Sequence, residues 1–224
     1  MGRAVRVDIG GTVYHVLNRA NFRSKLFSKD AHYQAFLDML KEAQGLAPMR
    51  ILAYCLMPNH WHVVLYPKHD GDLSRFMHRL TLTHTQRYHA KTRTRGYGHI
   101  YQGRYKSILV QQDKYFLTLV RYVERNAKRA GLVKNAENWP WSSMHARLNG
   151  DEKEKELLSP WPVEAPRNYA AWVNHAQPKE EIEHIRYAIQ RGRPYGSPEW
   201  VMRTVKRFGI ESVIRNPWRP KKGT

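Results

Sequence analysis

The chain has 224 residues, and its 42% hydrophobic and 12% aromatic content is ordinary for a globular protein with a buried core. Thirty-eight Lys and Arg against 19 Asp and Glu give a formal net charge of +19, which favours a polyanionic partner and predicts nucleic-acid binding. The single cysteine, Cys55, excludes a disulfide framework and a Cys-rich zinc site and fits a reducing compartment.

The sequence contains no apolar run long enough to cross a bilayer, and residues 1–11 lack the apolar segment of a signal peptide. We therefore expect no membrane partner. The expected location is the cytoplasm, with association to the nucleoid when the protein is bound to DNA.

Hydrophobic periodicity and turn residues predict strands and helices in the first part of the chain. In chain order these are a strand at 11–18, a helix over 33–43, strands at 50–56 and 60–66, a helix over 72–88, and a strand at 105–110. The turn at 57–59 contains Pro and Asn and predicts that the second and third strands pair as a hairpin. A further helix is predicted from Asp113 to about Arg129, closed by Gly131.

This order predicts an α+β fold, a ferredoxin-like or RRM-like split βαβ sandwich with the helix from Asp113 appended to it. We expect this core domain to span residues 1–150. A polar region with several prolines follows, and residues 151–224 are predicted to form a basic, mostly helical extension with helices at 180–190 and 199–208. We expect the extension to contact a DNA hairpin.

Two histidines lie on the second strand of the hairpin. Side chains alternate between the faces of a strand, so His60 and His62 point the same way while Trp61 points to the opposite face. Such a pair suits a metal ion, but two strand histidines are more often only solvated polar positions. The pattern therefore needs a third element before it predicts a metal site.

The helix from Asp113 supplies that element. At about 100° per residue, one stripe of this helix is apolar, and a second stripe contains Tyr122 and Asn126 one turn apart. An isolated helical tyrosine is commonly only a boundary residue whose hydroxyl is wet. Tyr115 lies on the same stripe as Tyr122, but Leu119, four residues on, cannot bind a metal. Tyr122 is therefore the favoured nucleophile.

These residues carry a resemblance to a known family. The segment MPNHWHVVL at 57–65 resembles the HUH motif of the single-tyrosine transposases, and RYVERNAKRAGLV at 121–133 resembles their nucleophile helix. The segments WPWSS at 139–143 and GRPYGS at 192–197 are similar to parts of the REP-associated tyrosine transposases, a branch of that family. The resemblance covers most of the chain.

The resemblance implies a divalent metal, Mg²⁺ or Mn²⁺, held by His60, His62 and Asn126, the last in a place where mobile relatives often have Gln. It implies that Tyr122 attacks DNA to form a 5′-phosphotyrosine, with no nucleotide cofactor. Ala127 departs from the Pro that commonly follows this Asn in REP-associated members, which leaves the end of the helix open.

The implied activity is cleavage and rejoining of single-stranded, hairpin-forming DNA by a monomer or a homodimer. Basic and aromatic residues near the strand ends are candidate DNA contacts. These candidates are Arg19, Arg95, Tyr101, Arg104, Lys106, Arg129 and Arg193, and His15 and Asn18 at the end of the first strand are further candidates for lining a DNA groove. The histidines His78, His84 and His89 are interpreted as surface or DNA-facing groups.

Two alternatives remain open. A non-catalytic RRM-like nucleic-acid-binding module has the same order of elements, but it has no need of the set formed by His60, His62, Tyr122 and Asn126, and the chain lacks a clear RNP motif. A metal-dependent hydrolase with water as the nucleophile would need an Asp or Glu ligand that the sequence does not offer near these residues.

Overall fold

The predicted order of strands and helices is found in a computed structural model, which describes residues 6–96 and 98–215. The strands are β1 (Val13–Arg19), β2 (Met49–Met57), β3 (His60–Pro67) and β4 (Lys106–Val110). The helices are α1 (Asp30–Leu46), α2 (Asp72–Thr92), α3 (Lys114–Glu124), α4 (Asn126–Arg129), α5 (Ser143–Leu148), α6 (Glu152–Glu156), α7 (Tyr169–Asn174), α8 (Lys179–Arg191) and α9 (Pro198–Phe208).

The four strands form one antiparallel sheet in the order β2-β3-β1-β4. β2 and β3 pair as the predicted hairpin, with Met57 opposite His60. β3 lies inside the sheet, and its register places His62 between Cys55 of β2 and Leu17 of β1. The predicted ferredoxin-like α+β fold is confirmed.

Each face of the sheet packs against its own group of helices. Phe36 and Leu40 of α1 and Phe76 of α2 pack with Trp61 on one face, where the Trp61 side chain has no exposed surface. Phe116 and Val120 of α3 pack on the other face. The alternation of side chains along β3 therefore directs Trp61 into one core and the two histidines to the face that α3 covers.

The helix that was predicted as one continuous element from Asp113 is divided at Arg125, which separates α3 from α4. The side chain of Asp113 accepts a hydrogen bond from the backbone of Tyr115, as expected for an N-cap. Gly131 has a φ of 72°, the left-handed conformation that favours glycine at the end of a helix. The helical segment thus ends at Arg129, as the sequence indicates. Ala127 lies inside α4, and its presence in place of Pro does not carry the helix beyond Arg129.

Beyond residue 150, α8 packs against the core that α3 forms with the sheet, whereas Val201 and Val205 of α9 belong to a separate small cluster. The observed α8 and α9 correspond to the two helices predicted in the extension, whereas residues 216–224 lie outside the described part of the chain. Ile185 and Ala188 of α8 are buried beside α3. The division into two domains at residue 150 stays a prediction.

Among residues 6–96 and 98–215, none of the helices combines the length and apolar character that a membrane span requires.

Candidate active site

The two histidines of β3 lie side by side beneath α3. Their ring centroids are 5.1 Å apart, and the rings are nearly perpendicular. The Nδ1 atom of His60 is 2.7 Å from Oδ1 of Asn59. An amide oxygen can only accept, so His60 donates from Nδ1 and keeps a lone pair on Nε2. Burial, and then the charges of Arg19 and Arg129, lower the pKa of His60 to about 4, which keeps the ring neutral.

His62 is paired with a third histidine on β1. Its Nδ1 atom is 2.9 Å from Nε2 of His15, and the two rings are stacked with centroids 5.1 Å apart. Burial lowers the pKa of His62 well below its usual range and that of His15 to about 3. Both rings are therefore neutral at physiological pH. His15 is fully buried behind His62, so it does not line a DNA groove.

Tyr122 of α3 and Asn126 of α4 face the histidines from the opposite side. The rings of His62 and Tyr122 are perpendicular, with centroids 6.0 Å apart. Arg129 connects the two helical residues, because its guanidinium lies 4.2 Å from the centre of the Tyr122 ring and donates a 3.0 Å hydrogen bond to Oδ1 of Asn126. The break at Arg125 thus does not separate Tyr122 from Asn126.

These residues surround one cavity of about 650 Å³. His60, His62, Tyr122 and Asn126 all line it. Five cationic side chains line it as well, namely Arg19, Arg104, Lys106, Arg129 and Arg186. In the described part of the chain, no Asp or Glu contributes to the wall of this cavity. Such a surface attracts an anion.

The basic residues among the candidate DNA contacts divide into two groups. Four of them, Arg19, Arg104, Lys106 and Arg129, line the cavity together with Asn18. Arg95 is exposed in the loop after α2, and Arg193 lies next to His184. Both are outside the cavity wall.

Tyr101 and His84 form a buried pair. The Tyr101 hydroxyl lies 2.6 Å from Nδ1 of His84 and accepts a 3.0 Å hydrogen bond from Trp61. Only 7% of Tyr101 and 5% of His84 are exposed. The interpretation of His84 as a surface group is wrong, because its ring packs against Phe36 in the core. Tyr101 is likewise a core residue, so its ring has little free surface on which a base could stack.

Several residues have roles in the site that the sequence did not indicate. Asn59 and His15 contact the two histidines of β3 from outside the cavity. Gln102, Arg186 and Gln190 line the cavity but come from a loop and from α8, where no motif identified them. Asn59 precedes His60 directly in the predicted turn, and this adjacency is the one sequence signal for their side-chain contact.

The side chains that line the cavity include suitable ligands for a divalent metal. His60 and His62 are neutral, as metal ligation requires. Oδ1 of Asn126 accepts one hydrogen bond and retains a second lone pair. Among the described residues, no group of three His, Cys, Asp or Glu side chains is placed to hold a metal. Two imidazoles and an amide oxygen are therefore the available protein ligands, and they fit a divalent ion that completes its shell with water or phosphate oxygens.

A family model described as "Transposase IS200 like" matches residues 9–126. A REP-associated tyrosine transposase of Escherichia coli (strain K12) is 28% identical over 137 residues, which are 61% of this chain and 78% of that protein. A relative from Haemophilus influenzae with a similar description is 25% identical over 138 residues, or 58% of this chain and 77% of that protein.

A solved structure of a REP-associated tyrosine transposase bound to a REP hairpin has a similar fold, with a TM-score of 0.56 and 22% sequence identity. The similarity covers 76% of this chain and 96% of that chain.

Proposed function

Because this chain belongs to the IS200-like transposase family, we propose that it is a metal-dependent nuclease and strand transferase that cleaves and rejoins single-stranded DNA with Tyr122 as the nucleophile. One observation carries the proposal. Tyr122, His60, His62 and Asn126 come from separate segments and line the same cationic cavity. A protein that only binds nucleic acid gains nothing from placing a tyrosine beside two neutral histidines.

The metal in this proposal is Mg²⁺ or Mn²⁺. Nε2 of His60, a ring nitrogen of His62 and Oδ1 of Asn126 would hold it, and imidazole ligands favour Mn²⁺ over Mg²⁺. When bound, such an ion supplies positive charge that polarises the phosphate and stabilises the transition state. Asn59 and His15 contribute by holding the two imidazole rings in position.

In the proposed reaction, the oxygen of Tyr122 attacks a backbone phosphorus. The bond from phosphorus to the 3′ oxygen of the preceding nucleotide breaks. The phenol loses its proton and the departing 3′ oxygen gains one, so the products are a 5′-phosphotyrosine and a free 3′-OH. Rejoining is the reverse attack by a 3′-OH, and no nucleotide cofactor is consumed because one phosphodiester replaces another. Arg129 places positive charge beside the Tyr122 ring.

The proposed substrate is a single strand that folds into a hairpin like the REP element. Two relatives of this chain are described as REP-associated, and a protein of similar fold has been solved with a REP hairpin. The cationic cavity suits the unpaired strand that leaves such a hairpin. The exposed basic residues outside the cavity, including Arg95, remain candidates for contacts to the stem.

The decisive experiment traps the covalent intermediate. Labelled hairpin oligonucleotides with single-stranded flanks are incubated with the protein and Mn²⁺ or Mg²⁺, and a denaturing gel then separates free DNA from protein-linked DNA. The expected result is a metal-dependent adduct on the 5′ end of the downstream fragment. Tyr122→Phe abolishes this adduct, and His60→Ala reduces it strongly because a metal ligand is removed.

Tyr115→Phe is the matched control. Tyr115 is on the same helix but packs against Tyr195, with ring centroids 5.3 Å apart, and it does not line the cavity. This variant is expected to form the adduct at the wild-type rate. An adduct that persists in Tyr122→Phe would contradict the assigned nucleophile. Tight binding without an adduct on any hairpin would favour the non-catalytic module, and cleavage without an adduct would favour the hydrolase.

A further inference from the structure

Helix α8 of the C-terminal extension forms part of the catalytic cavity. Arg186, Ile189 and Gln190 line the cavity together with Tyr122 and the two histidines of β3. Arg186 and Gln190 are one helical turn apart, so they present one edge of α8 to the cavity. The family model ends at residue 126, and α8 lies wholly outside the matched residues.

The position of α8 is fixed by a turn at its C-terminal end. The backbone N–H of Tyr195 donates to the carbonyl of Leu109, and the N–H of Gln111 donates to the carbonyl of Tyr195. Tyr195 therefore pairs with β4 at the edge of the sheet. Gly192 has a φ of 66° and ends α8 in the left-handed conformation. The GRPYG segment thus attaches α8 directly to the strand that carries Lys106.

The opposite edge of α8 is held by core packing. Ile185 and Ala188 are buried between α8 and α3, with 0% and 1% of their surface exposed. At the start of α8, Gln177 donates a 3.1 Å hydrogen bond to the carbonyl of Thr118 in α3. Contacts at both ends and along one face therefore set the orientation in which Arg186 meets the cavity.

Arg186 lies in a region with an excess of positive charge. In the part of the chain that the structure describes, it forms no ion pair, and its side chain is exposed to the cavity. Two further cations, Arg186 and Arg125, lie close enough to Arg129 for their charges to act on it. Like charges held together by packing repel each other, and an anion between them relieves that repulsion.

We propose that Arg186 binds a backbone phosphate of the DNA strand in the catalytic cavity, so that the C-terminal extension completes the DNA-binding site of its own chain. This inference rests on the proposed function for the identity of the ligand. Four cationic side chains of the cavity belong to residues 1–150, and Arg186 of α8 supplies a fifth from the facing side. Cations on two walls fit a strand that passes between α8 and the sheet.

The test compares Arg186→Gln, Arg186→Lys and the control Arg203→Gln, which removes the same charge from an exposed position on α9 outside the catalytic cavity. Affinity for a fluorescent hairpin with a single-stranded flank is measured over a range of salt concentrations. Arg186→Gln is expected to weaken binding about tenfold at low salt. The slope of log K against log salt is expected to decrease in magnitude by about 0.7, the value for one single-strand phosphate.

Arg186→Lys keeps the charge and is expected to keep the wild-type slope, which a purely structural role of the side chain would not predict. The same measurement with the hairpin stem alone, without its flank, is expected to give equal affinities for the wild type and Arg186→Gln. A wild-type salt slope in Arg186→Gln on the flanked hairpin would overturn the inference. A loss on the stem alone that equals the loss on the flanked hairpin would also overturn it, because Arg186 would then contact the stem.

This inference and the proposed function can fail separately. If the wild type forms the Tyr122 adduct and Arg186→Gln binds DNA with an unchanged slope, the proposed function stands and the role of Arg186 is wrong. If the wild type forms no adduct but Arg186→Gln loses the flank-dependent slope, the cavity binds DNA as proposed here and the catalytic role of Tyr122 is wrong.

Discussion

The hydrogen-bond partners of His60 and His62 differ in how they constrain the tautomer of each ring. Oδ1 of Asn59 accepts from His60, which leaves Nε2 of that ring free. The contact between His62 and His15 allows either ring to donate. Ligation of a metal through Nε2 of His62 requires that His62 donates from Nδ1. The proton of His15 is then on Nδ1, an atom without a hydrogen-bond partner among the described residues.

This arrangement predicts that His15 affects metal binding without touching the metal. His15→Phe removes the acceptor for Nδ1–H of His62, so we expect Mn²⁺ affinity to decrease about tenfold, as for the loss of other groups that orient metal ligands. Titration followed by electron paramagnetic resonance measures the change. His15→Gln, whose amide oxygen can accept, is expected to restore part of the affinity.

His84→Gln is the control for the His15 variants. His84 is also a buried histidine with a pKa lowered to about 3, but it lies on the other face of the sheet, beside Tyr101. The His84 variant is expected to bind Mn²⁺ like the wild type even if its stability falls. Equal Mn²⁺ affinities of His15→Phe and the wild type would contradict an orienting role for His15.

At the scale of single elements, the turn between α8 and α9 has little space for additional atoms. A Cβ atom at Gly196 would lie 2.5 Å from Cε3 of Trp200 and 2.6 Å from Oε1 of Gln111. Gln111 also accepts a hydrogen bond from the backbone of Ser197. The absence of a side chain at Gly196 therefore lets the turn approach β4 closely enough for Tyr195 to pair with it.

Gly196→Ala is expected to destabilise the protein by about 1 to 3 kcal/mol, because the added methyl group displaces packed neighbours. Gly45→Ala in α1 is the matched control, since a Cβ atom there would meet nothing within 4 Å and alanine favours a helix. Urea unfolding measures both variants. A free energy of unfolding that is unchanged in Gly196→Ala would show that the turn can move away from β4 without cost.

At the scale of the whole molecule, Glu124 connects segments that are distant in sequence. It is fully buried and is the last residue of α3, the helix that carries Tyr122. Its carboxyl group accepts a 2.6 Å hydrogen bond from Ser143 of α5 and a hydrogen bond from Tyr169 of α7. Burial raises the pKa of Glu124. The two hydrogen bonds and the charge of Arg147 act in the opposite direction but are weaker, so the pKa is about 7.

This raised pKa predicts a pH dependence of stability. Between the usual carboxyl value of 4.5 and about 7, the folded protein retains the proton of Glu124 while the unfolded chain has lost it. Raising the pH through this window therefore favours unfolding, with a slope of at most about 1.4 kcal/mol per pH unit from this group. Below the window both states are protonated, and the contribution of Glu124 to stability is fully present.

Glu124→Gln cannot titrate, so we expect the free energy of unfolding of the wild type to fall relative to that of this variant as the pH rises from 4.5 to 7. Urea unfolding at several pH values measures this difference. The buried histidines have lowered pKa values and contribute with the opposite sign, but they are present in both proteins and cancel. A difference that does not change with pH would contradict a protonated Glu124 in the folded state.

The sequence by itself determined the order of elements and the side of β3 on which His60 and His62 lie. Both follow from local periodicity, because a strand alternates its side chains and a helix repeats about every 3.6 residues. The spacing of Tyr122 and Asn126 also placed them one turn apart, and the interruption at Arg125 did not separate them. The resemblance to the transposases added the roles proposed for these four residues.

Only the tertiary structure decided which distant side chains meet. Local patterns did not reveal that Tyr101 and His84 are buried together, that His15 contacts His62, or that α8 carries Arg186 into the cavity. These contacts depend on how strands pair and how helices pack across the sheet, and residues far apart in sequence have no period that relates them. Net charge is limited in the same way. A value of +19 predicts an anionic partner, but it does not show which cationic side chains meet around the cavity.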